Sequence, residues 1–348
     1  MRDSISKVPE GAIRYNTDSN KMEVWIGDKW MQVAVSSPNL GGNGNASTDP
    51  TGNSADQVVG VRGLFGGGFV PSANTNVIQY ITVSSTGNAI DFGNLTDKRR
   101  GIAACASSTR AVFGGGIGPS ISNILDFVAI ASTGDAQDFG DLQTALRQKA
   151  ALSSATRGIF SGGYTPTPST SFKDEIDHFT IASTGQGKDF GNLSGTRGGH
   201  SGCSSSSRGL FVGGTTPSGV LNVIDFITIS SLGDAEDFGD LTGVRAGAGV
   251  CSNSIKGLFG GGYDPANLSV ISQVNIASKG GVTTFGNLIA ANKTLTALSS
   301  STRAVFGGGL SDVIQYVAFA TDGDAVDFGD LLASNQQLSA TSNGHGGL

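Results

Sequence analysis

Short apolar stretches alternate with glycine-rich and polar segments along almost the whole chain, and hardly any stretch has the apolar spacing of a helix. Runs such as ILDFVAIAS at residues 124–132 lead into tight STG turns, which is typical of a β-hairpin. The heptad RAVFGGG at residues 110–116 returns unchanged at residues 303–309. The pattern therefore predicts an all-β protein that is built from a repeated unit.

The heptad is one copy of a unit that occurs six times, at spacings of 47 to 51 residues. The phenylalanines of the six heptads are Phe65, Phe113, Phe160, Phe211, Phe259 and Phe306. Each is followed by a second marker of the DFGDL type, whose phenylalanines are Phe92, Phe139, Phe190, Phe238, Phe285 and Phe328. All length variation falls in one loop per unit, between the glycines and the third strand. Four short strands in about 50 residues are typical of kelch-type blades, so residues 57–348 are predicted to form a six-bladed kelch-like β-propeller.

The end of the chain is predicted to complete the first blade. The segment LASNQQLSATSN at residues 332–343 resembles the first-strand segment QKAALSSAT at residues 148–156. We expect it to supply the innermost strand of the first blade, which would leave no open edge there. The alternative is that Gln57 to Val61 serve as that strand.

Residues 1–34 form a separate predicted module. The sequence GAIRYNTDSNKMEVWIGDKWMQVA, with turns at Asp18–Asn20 and Asp28–Lys29, predicts a small three-stranded β-meander. So short a module cannot bury enough apolar surface to be stable alone, so we expect it to dock on another chain or on its own copies. Its candidate attachment residues are Tyr15, Trp25 and Trp30. Residues 35–56 are rich in Gly, Ser and Asn and are predicted to be a flexible linker.

Composition excludes several classes of function. The net charge is −6 and only 14% of residues are charged, which argues against a nucleic-acid binder with a basic surface. The start of the chain has no apolar core for a secretory signal, and no stretch approaches the length of a membrane span. We therefore expect a soluble protein without membrane insertion. Three cysteines cannot form a disulfide framework.

Two sets of cations recur at fixed positions. The first set opens the second strand of each unit and comprises Arg62, Arg110, Arg157, Arg208, Lys256 and Arg303. Aspartates recur just before the phenylalanine of the second marker, at Asp91, Asp138, Asp189, Asp237 and Asp327. Because both sets keep fixed offsets, we expect structural ion pairs between them.

The second set lies in the connection from the fourth strand to the next unit. It comprises Arg99 or Arg100, Arg147, Arg197, Arg245 and Lys293. In a four-stranded blade this connection lies on the same face as the variable loop. That face is the best candidate for ligand binding, and its cations are suited to anionic sugars. The alternative is that these side chains are solvated or structural charges.

The remaining polar residues favour structural roles. Cys105, Cys203 and Cys251 occupy a position that accepts leucine in other units, which indicates a packed core site. His178 stands where other units have Tyr or Phe. The acidic turns, such as GDAQDFGD, suit hairpin geometry, and weak calcium binding in three units is the alternative. No nucleophile–base set or phosphate-binding motif stands out, so we expect no metal, no cofactor and no enzymatic activity.

Two motifs carry a resemblance. The stretch PEGAIRYNTDSNKMEVWIGDKWMQV resembles a short module of tailed-phage virion proteins, and the STGDAQDFGDL and SSTRAVFGGG repeats resemble kelch-like structural proteins of marine and cyanobacterial phages. The resemblance implies a virion component, such as a fibre, tail or head appendage, that is in contact with other virion proteins. The chain lacks the clustered Tyr, Cys and His set of kelch enzymes of the galactose-oxidase type.

The leading hypothesis is a phage structural protein that forms homo-oligomers or attaches through its N-terminal module. Its propeller is then expected to contact the host surface, with a cell-surface glycan as the ligand and multiple copies supplying avidity. A first alternative is a capsid-decorating or purely structural propeller without a ligand, which loops poor in aromatic residues would favour. A second alternative is a glycan-cleaving propeller enzyme, which requires two acids in one pocket.

Overall fold

The computed structural model describes residues 12–16, 21–26, 29–32, 61–166 and 168–348. The chain divides into two compact units, Met1–Ala55 and Asp56–Leu348. The regular secondary structure of the described residues consists of β-strands, which confirms the predicted all-β class. None of the described residues belongs to a helix long and apolar enough to cross a membrane. The predicted linker at residues 35–56 lies outside the described residues.

The first unit contains β1 (Ile13–Asn16), β2 (Lys21–Ile26) and β3 (Lys29–Gln32), which form an antiparallel sheet in the order β1-β2-β3. Trp25 in β2 lies directly opposite Trp30 in β3. The two indole rings meet edge to face, with centroids 5.3 Å apart. Aromatic pairs of this kind stabilise adjacent strands. The strand order is that of a β-meander.

The second unit is a long series of short strands. Its first strands are β4 (Arg62–Gly66), β5 (Phe69–Val70), β6 (Ala73–Asn74), β7 (Val77–Thr82), β8 (Ile90–Asn94), β9 (Ala103–Ala106), β10 (Arg110–Gly114), β11 (Ile124–Ala129), β12 (Gln137–Asp141) and β13 (Ala150–Ser153). The next strands are β14 (Arg157–Ser161), β15 (Glu175–Thr180), β16 (Lys188–Asn192), β17 (Ser201–Ser204), β18 (Arg208–Val212), β19 (Thr215–Thr216), β20 (Gly219–Val220), β21 (Val223–Thr228), β22 (Glu236–Asp240) and β23 (Gly249–Ser252). The last strands are β24 (Lys256–Gly260), β25 (Tyr263–Asp264), β26 (Ala266–Asn275), β27 (Thr283–Asn292), β28 (Leu295–Ser299), β29 (Arg303–Gly308), β30 (Val313–Ala318), β31 (Val326–Asp330) and β32 (Ser339–Ser342).

These strands form repeated four-stranded antiparallel sheets. In the described residues the six sheets are β32-β4-β7-β8, β9-β10-β11-β12, β13-β14-β15-β16, β17-β18-β21-β22, β23-β24-β26-β27 and β28-β29-β30-β31. The short strands β5, β6, β19, β20 and β25 belong to the variable loops between second and third strands. The sheets are blade-like, and their repetition is consistent with a propeller.

The C-terminal strand β32 pairs with β4, more than 250 residues earlier in the chain. Ser339 lies opposite Gly66, and Ser342 lies opposite Gly63. The prediction that the C-terminal segment supplies the first strand of the first sheet is therefore confirmed. Of the alternative segment, Val61 lies outside any strand and residues 57–60 lie outside the described residues.

Glycines let neighbouring sheets pack closely. The six heptad phenylalanines are fully buried. In four heptads the phenylalanine ring packs where a glycine of the preceding heptad has no side chain, whereas Ser161 and Val212 stand at that position in the other two. A Cβ on Gly66 would lie 2.7 Å from the Phe113 ring, and one on Gly307 would lie 2.9 Å from the Phe65 ring. The second contact joins the sixth sheet to the first. Such close approach explains why the heptad is rich in glycine.

In the described residues, the glycine of the second marker lies against the hairpin turn of the next sheet in five units, and Gly239 is the exception. Gly93 has a φ of 147°, and a Cβ there would lie 2.3 Å from the carbonyl oxygen of Gly134 in the next turn. The turn residue Asp135 accepts hydrogen bonds from the Asn94 backbone at 2.9 Å and side chain at 3.1 Å. Asn88 accepts the corresponding bond in another turn, from Asp330 N–H at 3.0 Å. These contacts support the turn interpretation of the acidic segments, because a neutral residue serves equally well.

The first set of cations also joins neighbouring sheets. Each side chain donates to a backbone carbonyl of the following sheet at 2.6–3.3 Å; the donors are Arg62, Arg110, Arg157, Arg208, Lys256 and Arg303. Arg303, in the sixth sheet, donates to Val83 beside the first. Within the described residues no ion pair joins this set to the marker aspartates, so the prediction of ion pairs between them is wrong. The register explains this, because Arg62 lies opposite Thr82 whereas Asp91 lies opposite Gln79.

Candidate ligand-binding site

Six connections between sheets meet in a ring of hydrogen bonds, which we call the collar. Each contributes one residue with φ between 52° and 64°, namely Gly101, Gln148, Gly199, Gly247, Thr294 and Gln337. From Gln148 to Gln337, each backbone N–H donates to the carbonyl of the preceding collar residue in the chain at 2.7–3.1 Å. The Gly101 N–H donates to the Gln337 carbonyl at 2.8 Å. A positive φ is uncommon for residues other than glycine, so Gln148, Thr294 and Gln337 are held there by the ring.

The collar surrounds the mouth of a central cavity of about 430 Å³. This volume lies within the range of small-molecule sites. The innermost strands β9, β13, β17, β23, β28 and β32 supply mainly small side chains to its walls. Larger polar groups line the mouth, including Gln148, Gln337, Thr294, Lys293 and Tyr263. The mouth is thus more polar than the walls.

The variable loops begin beside the collar. Isolated β-bridges join Arg100 to Ile117, Arg147 to Tyr164 and Ala246 to Tyr263. In each pair the first residue directly precedes a collar residue, and the second starts a variable loop. The prediction that the connections and the variable loops share one face is therefore confirmed.

Three pairs of a cation and an aromatic ring stand on this face, and we call them the rim. They are Arg100 with Phe69, Arg147 with Tyr164 and Lys293 with Tyr263, at 4.6, 5.0 and 4.6 Å from the charged group to the ring centroid. All six side chains are at least partly exposed. Such pairs hold the cation in place and leave its remaining donors free for a ligand. The rim therefore combines positive charge with aromatic surface.

The structure separates the second predicted set of cations into two groups. Arg147 and Lys293 belong to the rim, where Arg100 joins them. Arg99, Arg197 and Arg245 are buried instead. Arg99 donates to the carbonyls of Gly115 and Ile124, both at 2.9 Å, and forms an ion pair with Asp126. Arg197 forms an ion pair with Asp225 at 2.8 Å. Arg245 donates to the carbonyl of Phe259 at 2.8 Å.

These buried cations fasten each connection to the sheet that follows it, so their guanidinium groups are not presented to a ligand. Burial lowers the pKa of Arg197, and Asp225 opposes that shift. In the second connection Leu146 replaces the arginine, and Lys149 places its Nζ 3.4 Å from Asp177 instead. Burial likewise lowers the pKa of Lys149.

The sequence prediction mixed two positions that differ by one residue. The buried position follows the marker phenylalanine by seven residues, and the rim position follows it by eight. A sequence signal for the distinction does exist in the third strand. Asp126, Asp177 and Asp225 occur opposite buried cations, although Arg245 has Ser272 at this position. Gln79 and Gln315 occur where the connection supplies Asn335 and Asn292.

The cysteines are buried, and the histidines serve as packing or hydrogen-bonding groups. Cys105, Cys203 and Cys251 are free and buried, as predicted, and burial raises the pKa of Cys203 to about 12. His178 packs edge to face on Phe190 at 5.9 Å. The Nε2 of His200 lies 2.9 Å from Ser161 Oγ, and burial lowers the pKa of its imidazole. In the part of the chain that the structure describes, no three His, Cys, Asp or Glu side chains gather as metal ligands.

The candidate attachment residues lie in the first unit. Trp25 and Trp30 are partly buried against each other, and the Arg14 guanidinium lies 4.2 Å from the Trp30 ring centroid. Tyr15 lies in β1, but its side chain is outside the described part of the structure. A role in attachment stays a prediction.

No family model matches this chain, and no curated protein matches it.

Proposed function

We propose that this protein is a structural component of a tailed-phage virion, in which a kelch-like propeller forms a non-enzymatic binding head. The N-terminal meander attaches the head to other virion proteins or to further copies of the chain. The rim contacts the host surface, and its ligand is a glycan. The observation that carries the proposal is the rim itself, where three cations and three aromatic rings share the face of the variable loops.

The proposal includes a ring of six blades. Contacts between the sixth and first sheets support it, because they repeat those between the other sheets. Gly87 N–H donates to the Phe328 carbonyl at 2.7 Å, just as Gly134 N–H donates to the Phe92 carbonyl at 2.7 Å. The collar and the pairing of β32 with β4 support it as well.

Aromatic residues in the variable loops favour a binding head over a decorating propeller. Phe69, Tyr164, Phe172 and Tyr263 all lie in these loops, and Tyr164 stacks on Phe172 with ring centroids 4.9 Å apart. Aromatic faces are the surfaces on which sugar rings pack in water. Among the described residues, the lining of this cavity includes no Asp or Glu, whereas the glycan-cleaving alternative requires two acids in one pocket.

Retention of the full-length protein on immobilised bacterial envelope polysaccharides tests the proposal, with released reducing sugar measured in the same samples. We expect retention without release. Arg147→Ala should weaken retention because it removes a rim cation, whereas Lys188→Ala, an exposed lysine on β16, serves as the matched control. Release of sugar would contradict a non-enzymatic head. Equal weakening by both variants would contradict the rim as the contact surface.

A further inference from the structure

We infer that the central cavity is closed at its far end and therefore receives the end of a glycan chain, one terminal sugar residue deep. The inference rests on the proposed glycan-binding function and adds where on the glycan the protein binds. It follows from two features, the floor of the cavity and the chemistry of its mouth.

The last residues of the chain form the floor. His345 Nε2 lies 2.8 Å from the Ala106 carbonyl oxygen, and the Gly346 N–H donates to the Ser252 carbonyl at 2.8 Å. These two acceptors belong to different sheets, so the tail lies across the far end of the cavity. The fit is close, because a Cβ on Gly346 would lie 2.1 Å from a backbone oxygen and one on Gly347 would lie 1.9 Å from another. The tail therefore blocks the exit.

A ladder of serine side chains narrows the space above this floor. Each hydroxyl donates to a backbone carbonyl of the neighbouring innermost strand; the donors are Ser153, Ser204, Ser252, Ser299 and Ser342. The space that they enclose with His345 is about 60 Å³. A cavity needs about 10–15 Å³ of this kind of volume to hold one water molecule, so the space suits a few waters. It is far smaller than the 430 Å³ cavity above it. A glycan chain cannot pass through the protein, and only its end can enter.

The mouth suits a polyhydroxylated ligand. In the described residues the side-chain amides of Gln148 and Gln337 have no hydrogen-bond partner, and Oε1 of Gln337 is shielded from solvent. An amide offers both donors and acceptors, which matches the hydroxyl groups of a sugar. Tyr263, 37% exposed, adds a ring face at the mouth.

The charges at the cavity narrow the class of ligand further. Lys149 and His200 line the cavity, but Lys149 faces Asp177 and His200 faces Ser161. This leaves Lys293 as the cation at the mouth that has no acidic partner among the described residues. One such cation suits a neutral sugar or a single carboxylate, and it falls short of the cluster of donors that a phosphate group requires. The ligand is therefore a terminal neutral or uronic acid residue.

Binding of the full-length protein to dextran and to alginate, a neutral and a uronic acid polymer, tests the inference. Short and long chains of each polymer are compared at equal sugar mass. Recognition of chain ends makes the binding capacity per gram rise in inverse proportion to chain length for at least one polymer. Capacity that is independent of chain length overturns the inference, because internal residues would then bind.

Two variants separate the cavity from the rim. Thr296→Trp fills the cavity from its half-buried wall and should abolish binding, whereas Thr156→Trp, at an exposed threonine outside the cavity, should not. Gln337→Ala should weaken binding about tenfold through the loss of one hydrogen bond, with no effect on folding as measured by circular dichroism. Binding that survives Thr296→Trp and Gln337→Ala but falls with Arg147→Ala overturns the inference and leaves the rim function intact. Absence of binding to either polymer overturns this inference, and retention on envelope polysaccharides then decides the rim function separately.

Discussion

Replacing Arg197 by Asn removes one partner of a buried ion pair. Arg197 is 1% exposed and Asp225 is 0% exposed, so the variant leaves a buried carboxylate without its cation. Ser194 still donates to this carboxylate, from its N–H at 3.0 Å and from its hydroxyl group. Two such hydrogen bonds do not replace a cation in a buried site. The free energy of unfolding should therefore fall by about 3–5 kcal/mol.

The chain itself supplies the compensating change. Asn335 stands at the position equivalent to Arg197, and Gln79 stands at the position equivalent to Asp225. Gln79 Oε1 accepts the Leu332 N–H at 2.8 Å, just as Asp225 accepts the Ser194 N–H. The double variant Arg197→Asn with Asp225→Gln copies this neutral pair. The free energy of unfolding of the double variant should lie within about 1 kcal/mol of that of the unmodified protein. No buried charge is left, and the side-chain oxygen at position 225 still accepts the Ser194 N–H.

Urea unfolding followed by far-ultraviolet circular dichroism measures both variants, and the two singles with the double form a double-mutant cycle. Tryptophan fluorescence is unsuitable because both tryptophans lie in the first unit. A loss below about 1 kcal/mol in Arg197→Asn would refute the structural role of the pair. If the losses in the free energy of unfolding of the two single variants simply add in the double variant, Asn and Gln at positions 197 and 225 do not replace the ion pair as Asn335 and Gln79 do in the first sheet.

Gly93→Ala should lower the temperature of thermal unfolding more than Gly87→Ala. A Cβ at Gly93 would lie 2.3 Å from a backbone oxygen, whereas nothing lies within 4 Å of a Cβ at Gly87. Equal losses in the two variants would contradict this role of the second marker. Burial lowers the pKa of His345 from 6.5, so the unfolded chain binds protons more readily, and the stability that is full above about pH 6.5 should decline as the pH falls below it. His345→Gln should make the fall shallower over that range, and an unchanged pH profile would contradict the assignment. Removal of residues 1–34 should lower the mass of the particle in solution from an oligomer to a monomer, whereas a monomer in both forms would argue against self-association through the meander.

The repeat was readable from the sequence because the heptad and the second marker are both dictated by packing between sheets. Gly66 and Gly93 each meet a neighbouring sheet at a distance that excludes a side chain. The glycine of the second marker recurs in every unit, whereas Ser161 and Val212 replace the heptad glycine in the third and fourth units. The strand pairing of residues 339–342 was readable for the same reason, since the segment repeats the pattern of an innermost strand.

The collar and the floor of the cavity could not be predicted in the same way. The positive φ of Gln148, Thr294 and Gln337 is imposed by hydrogen bonds between connections, and no residue type marks it. The rim was predicted only in part, because adjacent cations can differ in burial. Arg99 is buried, whereas Arg100 is partly exposed and contacts Phe69. The strand register also could not be predicted from fixed offsets in the sequence, and it is the register that separates Arg62 from Asp91.

The pairing of β32 with β4 has a consequence for synthesis of the protein on the ribosome. The first sheet is the earliest of the six to emerge, yet it lacks its innermost strand until Ser342 has left the exit tunnel. During that interval β4 presents an unpaired edge that other nascent chains can recognise. A chain that terminates early keeps this edge for its lifetime and is exposed to proteases and aggregation. Completion of the first sheet therefore depends on synthesis of β32, and a chain truncated before Ser339 leaves β4 unpaired.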